Sequence, residues 1–428
     1  MSLPGAAVAL SPPGWRGGWL QGLAYGGLGL PLAFVALPLY IILPNHYASE
    51  FGIPLATLGA LLLGARLFDA VTDPVIGRFV DTWFNRAARW VLGAMVVAAV
   101  LLALGFRGLF FPPVREGAAL LWWAGGLLAL TCLAYSVLSV AHQSWGARLG
   151  GDAGQRARIV SWREGLALLG VLVASVLPAL AGLGVASISF AVLLALAVAL
   201  LFRAPLPRIG HTAATAPSML LPLRTPAFRR LLAIYLLNGV ASAVPATLVL
   251  FFIRDRLQAA AFEPLFLASY FAAGALSMPL WVRAVARFGL ARSWLAGMFL
   301  AIVTFAWAAL LGAGDVLAYT AVCVASGIAL GADLTLPGAL LAGVIRRAGH
   351  GERLEGGYFG WWNFATKLNL ALAAGIALPL LGWFGYTPGG QDETALRALT
   401  IAYCLLPCVL KLGAVGLLHT LWIRIEKE

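Results

Sequence analysis

Two carboxylates, Asp69 and Asp73, lie four residues apart in the largely apolar stretch GARLFDAVTDPVIG. On a helix this spacing places both side chains on one face, one turn apart. A charged side chain at the centre of a bilayer costs roughly 2.5–3.5 kcal/mol on insertion scales, so two carboxylates facing lipid would be strongly unfavourable. We therefore expect this acid pair to face a wet interior and to bind a cation or protons there.

A basic residue close to the acid pair offers a different interpretation. Arg66 precedes Asp69 by three residues, so the two side chains can form a permanent salt bridge on the helix surface. One arginine cannot neutralise two acids, however, and Asp73 would then still lack a local partner. Both interpretations stay open at this point.

The composition requires an environment other than water. Of the 428 residues, 61% are hydrophobic and 11% are charged, whereas a soluble domain carries about 25% charged residues. This is the composition of a membrane protein that crosses the bilayer many times. The net charge is +12. In a membrane protein the basic residues are informative through their positions relative to the spans, so we expect the lipid bilayer, not nucleic acid, as the partner. The four cysteines lie in apolar runs without zinc-site spacing.

Apolar runs long enough to cross a bilayer, about 20 residues each, recur twelve times along the chain. They lie near 19–43, 53–77, 90–110, 118–142, 160–182, 185–203, 229–253, 262–282, 292–313, 317–345, 356–383 and 396–422. The longest polar interruption divides the chain into 1–205, a linker at 206–228, and 229–428. The sequence therefore predicts an all-α membrane protein with twelve transmembrane helices in two pseudo-symmetric six-helix bundles around a central cavity.

The basic residues predict the orientation. If both termini lie inside the cell, most arginines fall in the inner loops, and the outer side holds only a few. Those few are Arg107, Arg115, Arg254, Arg256 and Arg397. By the positive-inside rule we expect an integral protein of the bacterial inner membrane with cytoplasmic termini, and we expect it to be a monomer.

Twelve spans in two halves resemble the major facilitator superfamily, and three segments narrow the resemblance. GARLFDAVTDPVIG followed by VDTWFNRAARW is similar to the second-helix signature of the glycoside–pentoside–hexuronide:cation symporters. SVAHQSWGARLGGDAGQRARIVSWRE resembles that family's fourth helix, inner loop and fifth helix, and GGYFGWWNFATKLNLALAAGIALPLLGWFGY resembles its eleventh. The resemblance thus reaches both halves of the chain.

The resemblance implies a cation site made by the acid pair and two neutral oxygens. Thr72 stands where the family has a cation-ligating Asn, and Ser136 where it has a Thr of the same site. Lys367 matches the family's lysine between the halves and is expected to approach the acid pair. Arg66 and Lys367 are thus the expected charge partners.

The resemblance also implies a substrate site. Ser139 matches a family Asp that contacts sugar and cation, Arg163 a sugar-site Arg, and Asn363 a sugar-contacting position. The predicted substrate residues are Ser139, Gln143, Arg163, Asn363, Lys367 and Asp333. Glu164 could instead neutralise Arg163. The family's first-helix Lys-Asp pair falls at Leu32 and Ala33, so its main sugar-hydroxyl ligand is absent.

These features predict a secondary transporter that couples Na⁺ or H⁺ to a small solute, a sugar or glycoside, by alternating access, with no cofactor beyond the coupling ion. Loop contacts of Asp81 and Asp152 with nearby arginines would stabilise the outward-facing state. The apolar Leu32 and Ala33 leave open an amphipathic solute such as a lysophospholipid. A lipid-modifying enzyme is disfavoured because the sequence contains neither HExxH nor Gly-x-Ser-x-Gly. A non-transporting sensor would bind solute without flux.

Overall fold

Every regular element of the computed structural model is a helix within the residues it describes, which are 15, 17–115, 117–210, 218–387, 389–390 and 392–425. The first half contains α1 (Trp19–Phe51), which includes a π-helical turn at Pro38–Ile42, then α2 (Leu55–Arg86), α3 (Ala88–Phe110) and α4 (Gly117–Arg148). The continuous element Ala153–Leu201 follows and supplies α5 and α6.

The element Ala153–Leu201 is two crossings rather than one. Its 49 residues would span roughly 70 Å at 1.5 Å per residue, more than twice the hydrocarbon thickness. Gly182 has φ 81° and ψ 165°, a conformation that glycine adopts readily and other residues rarely do. The chain therefore turns there, and α5 (153–181) and α6 (183–201) correspond to the predicted fifth and sixth spans.

The second half repeats the arrangement. A short helix, Leu221–Arg224, precedes α7 (Pro226–Arg256), α8 (Glu263–Phe288), α9 (Leu290–Ala308), α10 (Val316–Arg347), α11 (Glu355–Trp383) and α12 (Glu393–Ile423). Ten elements in the described part of the chain are long and apolar enough to cross a membrane. The helix α2 is not one of these ten. It is as long as α4, 32 residues, but it carries the acid pair and further charges. The predicted fold class is confirmed.

The helix ends define two faces of the molecule. On one face, which we call the basic face, the Arg346 guanidinium donates to the Gly151 carbonyl at 2.7 Å and the Gly210 amide to the Glu352 carbonyl at 3.1 Å. On the opposite face, the Tyr47 hydroxyl donates to the Leu109 carbonyl at 2.8 Å. The arginine-rich loops thus share one side, as the sequence predicts.

Glycines bring α2 of the first bundle against α11 of the second. A Cβ at Gly77 would lie 2.1 Å from the Gly356 carbonyl oxygen, and one at Gly360 would lie 2.5 Å from the Asp73 carbonyl oxygen. Both separations are far below van der Waals contact, so only glycine allows the helices to approach this closely. The close approach places the α2 carboxylates beside α11.

Candidate ion and substrate site

The acid pair meets a single lysine from the other bundle. Asp69 and Asp73 are buried, at 2% and 0% exposure. The Lys367 ammonium on α11 lies 2.7 Å from a carboxylate oxygen of Asp69 and 2.7 Å from one of Asp73. Two carboxylates and one ammonium carry a net charge of −1. The buried cluster can therefore take up one further positive charge, either a proton or a monovalent cation.

The neutral hydroxyl of Ser136 joins this cluster. The Ser136 hydroxyl on α4 donates to the second carboxylate oxygen of Asp69 at 2.7 Å and lies 3.0 Å from the Lys367 ammonium. Asp73 Oδ1 is buried without a hydrogen-bond partner among the described residues. An unpaired buried carboxylate oxygen is costly, so this atom is the clearest position for an additional proton or cation. Ser136 lies where the resemblance places it.

Thr72, expected as a cation ligand, and Arg66, expected as a charge partner of the acids, make other contacts in the structure. The Thr72 hydroxyl donates to the backbone carbonyl of Asp69 at 3.0 Å, within its own helix. The Arg66 guanidinium lies 4.3 Å from the centroid of the Tyr40 ring in a cation–π contact. Arg66 is therefore no partner of Asp69 in this structure, which differs from the predicted charge pair. The reason is that Lys367 already bridges both acids.

A second polar cluster lies one turn nearer the basic face. The Ser139 hydroxyl accepts from the Gln143 amide at 3.1 Å and from the Asn363 amide at 3.3 Å. Ser139 and Gln143 are on α4 and Asn363 is on α11, so the contact joins the two bundles. Gln143 Oε1 is buried without a partner among the described residues. Three predicted substrate residues are thus brought together with spare hydrogen-bonding capacity.

Arg163 is paired with its sequence neighbour. Its Nε lies 2.9 Å from Glu164 Oε1, and the two side chains are 12% and 19% exposed. This is the arrangement that the alternative interpretation of Arg163 anticipated. Glu164 was not among the predicted site residues, although a glutamate inside a long apolar helix indicates a functional position.

An aromatic pair on the second bundle was not predicted from the sequence. Tyr235 on α7 stacks on Trp362 on α11 at 3.7 Å between centroids, with the rings 22° apart. The Tyr235 hydroxyl lies 2.8 Å from the exposed Thr366 hydroxyl. Trp362 lies in the segment GGYFGWWNFATKLNLALAAGIALPLLGWFGY that resembles the family's eleventh helix, whereas Tyr235 lies in none of the three segments that carry the resemblance. Such a ring face next to hydroxyls suits the apolar face of a sugar.

Asp333 belongs to a separate network inside the second bundle. It lies 2.8 Å from the buried Lys411 ammonium and accepts hydrogen bonds from three further side chains. These are Asn238 at 3.0 Å, Ser242 at 3.0 Å and Trp294 at 2.9 Å. Its four partners come from α7, α9 and α12, and each of them bonds to this one carboxylate. The geometry therefore assigns Asp333 to packing of the second bundle, which differs from the predicted substrate contact.

The pairing of Lys411 with Asp333 predicts a difference in stability between single and double variants. Lys411→Met leaves the Asp333 carboxylate without its charge partner, and breaking a buried pair in this way costs roughly 3–5 kcal/mol. Lys411→Met combined with Asp333→Asn removes both charges and should recover most of that loss. Thermal unfolding of the detergent-purified variants measures it. Equal melting temperatures for the single variant and the unmodified protein would contradict the assignment.

A network of ions closes the basic face. The buried Arg148 guanidinium, at the end of α4, lies 3.1 Å from the Asp81 carboxylate and 2.9 Å from Glu355. It also donates to the Glu352 carbonyl at 2.6 Å. The Asp81 carboxylate in turn accepts from the backbone amides of Gly356 and Gly357, both at 2.7 Å, at the N-terminus of α11.

This basic-face network (Asp81, Arg148 and Glu355) crosses between the bundles. A carboxylate at a helix N-terminus satisfies free amides and the helix dipole, so Asp81 attaches α2 to α11 directly. The prediction that Asp81 contacts an arginine agrees with this geometry. The same prediction for Asp152 differs from the structure. The Asp152 side chain accepts from the Gln155 backbone amide at 2.8 Å and caps the start of α5.

Comparisons with known proteins place this geometry in a family. Residues 22–425 match the family described as MFS/sugar transport protein. The chain is 24% identical over 440 residues to a putative sulfoquinovose importer of Escherichia coli (93% of this chain, 90% of that protein). It is 28% identical over 159 residues to the inner membrane symporter YicJ of the same organism, covering 36% of this chain and 33% of that protein.

A solved structure shows the same fold. A bacterial homologue of the iron transporter ferroportin, in an outward-facing state, superposes with a TM-score of 0.68 at 17% identity, covering 93% of this chain and 99% of that one. The chain is an integral membrane transporter of sugar-type solutes and not an enzyme. It belongs to the MFS/sugar transport family, and within the major facilitator superfamily to the glycoside–pentoside–hexuronide:cation symporters.

Proposed function

We propose that this protein couples Na⁺ or H⁺ to the uptake of a sugar or glycoside across the bacterial inner membrane. The observation that carries the proposal is the buried cluster of two carboxyl groups and one ammonium (Asp69, Asp73 and Lys367), with Asp73 Oδ1 unpartnered among the described residues; with both acids ionised its net charge is −1. An intramembrane charge of this kind is expensive unless an ion or proton compensates it. The coupling ion supplies the compensation.

Lys367 connects ion binding to movement of the bundles. Its ammonium comes from α11, whereas both acids come from α2. A cation at the acid pair competes with that ammonium for the same oxygens, so ion binding changes the contact between the bundles. A ligand shifts a conformational equilibrium by its difference in affinity for the two states. The ion-loaded and ion-free carriers therefore differ in how readily the bundles separate.

The basic face is assigned to the cytoplasm on the positive-inside rule. The basic-face network then closes the cytoplasmic side, and this conformation is the outward-facing one. In the transport cycle the units 1–205 and 229–428 rock about the central site as a monomer. The linker 206–228 joins them, and its residues 211–217 lie outside the described part of the chain.

The solute contacts follow from the polar and aromatic groups near the junction of the two bundles. Ser139, Gln143 and Asn363 offer hydroxyl and amide groups, and the Arg163–Glu164 pair offers charged donors and acceptors. Tyr235 and Trp362 offer an aromatic face. This combination suits a polyhydroxylated solute, and the guanidinium also accommodates an anionic substituent such as the sulfonate of the solute for which the Escherichia coli relative is named.

Uptake into proteoliposomes tests the proposal. A panel of radiolabelled melibiose, methyl-β-glucuronide and sulfoquinovose is offered under an inward Na⁺ gradient, an inward H⁺ gradient, or no gradient. We expect one gradient to drive accumulation of at least one solute above equilibrium. Uptake that only equilibrates the solute, at the same rate with and without either gradient, would show facilitated diffusion and contradict the proposal. Thermal-shift measurements with each solute, in NaCl and in choline chloride, identify the solute without requiring flux.

A further inference from the structure

A cavity of about 200 Å³ lies at the basic face, outside the ion and solute site. Its walls are the last turns of α2, the linker segment from Ser218 to Pro222, and the start of α11. Arg78, Thr82, Asn85 and Arg86 line it from α2. None of these side chains has a role in the transport mechanism above.

The cavity is assembled from both bundles. The linker wall is attached to α11, because the Trp361 indole donates to the Met219 carbonyl at 2.9 Å and the Thr225 hydroxyl lies 2.7 Å from the Tyr358 hydroxyl. The facing wall is α2 of the first bundle. Asp81 and Gly357, which bond to each other across the bundles, also line the cavity. The pocket therefore exists only while the basic face is closed.

The lining is positively charged. Arg78 and Arg86 are exposed, and within the described part of the chain neither forms an ion pair with an acid. The guanidinium of Arg86 lies 5.8 Å from the Trp90 ring centroid. Asp81 is the single acid among the described residues of the lining, and its oxygens are already bonded to Arg148 and to the amides of α11. The arginines thus have donors to spare.

From this geometry we infer that the cavity binds a phosphate-bearing anion and thereby stabilises the closed basic face. Two guanidiniums, with the neutral polar groups of Thr82, Asn85 and Ser218 beside them, match the oxygens of a phosphate ester. Met219, Leu221 and Pro222 add an apolar edge for the rest of the ligand. The phosphate comes from a phospholipid headgroup or from a soluble phosphate ester.

Occupancy regulates the transport cycle. A ligand that binds one conformation alone favours it by a factor of 1 + [L]/Kd. A phosphate ester in this pocket therefore opposes opening of the basic face and slows the carrier. The inference goes beyond the proposed function, and it requires only that the bundles move, not that a particular ion or solute is transported.

Distances between two spin labels test the inference without any solute. The four buried cysteines are first replaced by alanine. Spin labels are then attached at Arg89→Cys on α3 and at Arg230→Cys on α7, which are both exposed at the basic face. The protein is placed in phosphatidylcholine nanodiscs, in nanodiscs containing phosphatidylglycerol, and in phosphatidylcholine nanodiscs with sn-glycerol 3-phosphate. At ligand near ten times its Kd, we expect the closed-to-open ratio to rise about tenfold.

Charge-matched variants separate the pocket from general electrostatics. Arg78→Gln with Arg86→Gln should abolish the shift, whereas Arg283→Gln with Arg287→Gln, which removes two exposed charges from the basic end of α8, should retain it. A shift with phosphatidylglycerol alone identifies a lipid headgroup, and a shift with glycerol 3-phosphate alone identifies a soluble ester. No shift with either probe, or equal loss in both double variants, would overturn the inference.

Discussion

Asp73→Asn is expected to abolish ion-driven accumulation of solute while the protein remains folded. The substitution leaves Asp69 and Lys367 as a neutral pair joined at 2.7 Å, so no net negative charge remains to attract a cation. It also removes the unpartnered carboxylate oxygen of Asp73. Coupling free energies of 1–3 kcal/mol correspond to roughly 5- to 150-fold changes in affinity, and we expect the loss to lie in the upper part of that range.

The measurement compares uptake driven by an ion gradient with solute exchange at equilibrium. Exchange needs no net ion movement and should persist in Asp73→Asn, which distinguishes lost coupling from lost binding. Asp73→Glu is the matched variant, because it keeps the charge and should retain part of the ion dependence. If accumulation by Asp73→Asn equals that of the unmodified protein, the ion does not bind at the acid pair.

Thr72 provides a further test of which oxygens hold the ion. The resemblance assigns it to the cation site, whereas its hydroxyl donates to the Asp69 backbone carbonyl in the structure. Thr72→Val keeps the shape and removes the hydroxyl. We expect the ion concentration that gives half-maximal uptake to change by less than about fivefold, since an intrahelical hydrogen bond contributes only about 1 kcal/mol and about 1.4 kcal/mol corresponds to a factor of ten. A much larger change would place the hydroxyl on the ion.

Local spacing revealed the acid pair but not its partner. The spacing of Asp69 and Asp73 is a helical pattern. A carboxylate inside the membrane also indicates a functional site, because the free-energy cost of placing its charge there is high. The same local reasoning offered Arg66, three residues away, as an alternative partner, and only the family resemblance pointed to Lys367. The structure places Arg66 on Tyr40 and brings in Lys367 from the other bundle. That contact depends on close approach at Gly77 and Gly360, which no short-range pattern encodes.

Buried networks were harder to predict than spans. Apolar run lengths located the crossings, including the turn at Gly182, because each crossing must satisfy the bilayer thickness. The pairing of Asp333 with Lys411 joins positions on α10 and α12, which are 78 residues apart in the sequence and related by no short-range pattern. The basic-face network was partly foreseen through Asp81, since charges at helix ends commonly pair. Its attachment to the amides of α11 required the packed structure.

Arg148→Gln is expected to open the basic face. Arg148 is the one cation bonded to both Asp81 and Glu355 among the described residues, and these acids are 4% and 2% exposed. Without the guanidinium, two nearby carboxylates remain buried in the closed state, whereas separation of the bundles hydrates them. Leaving a buried charge unpaired costs roughly 3–5 kcal/mol. Since that cost falls mainly on the closed state, the closed-to-open ratio should fall by roughly 150- to 5,000-fold, at about 1.4 kcal/mol per factor of ten.

The spin-label pair on α3 and α7 reports this change as a shift to longer distances. Arg203→Gln is the matched control, because it removes an exposed arginine from the basic face and should leave the distances unchanged. Asp81→Asn should shift the ratio in the same direction but less, because Arg148 keeps Glu355 and an asparagine carbonyl still accepts one amide of α11. A closed conformation that persists in Arg148→Gln would show that glycine-mediated packing of α2 on α11, and not the ion network, holds the basic face shut.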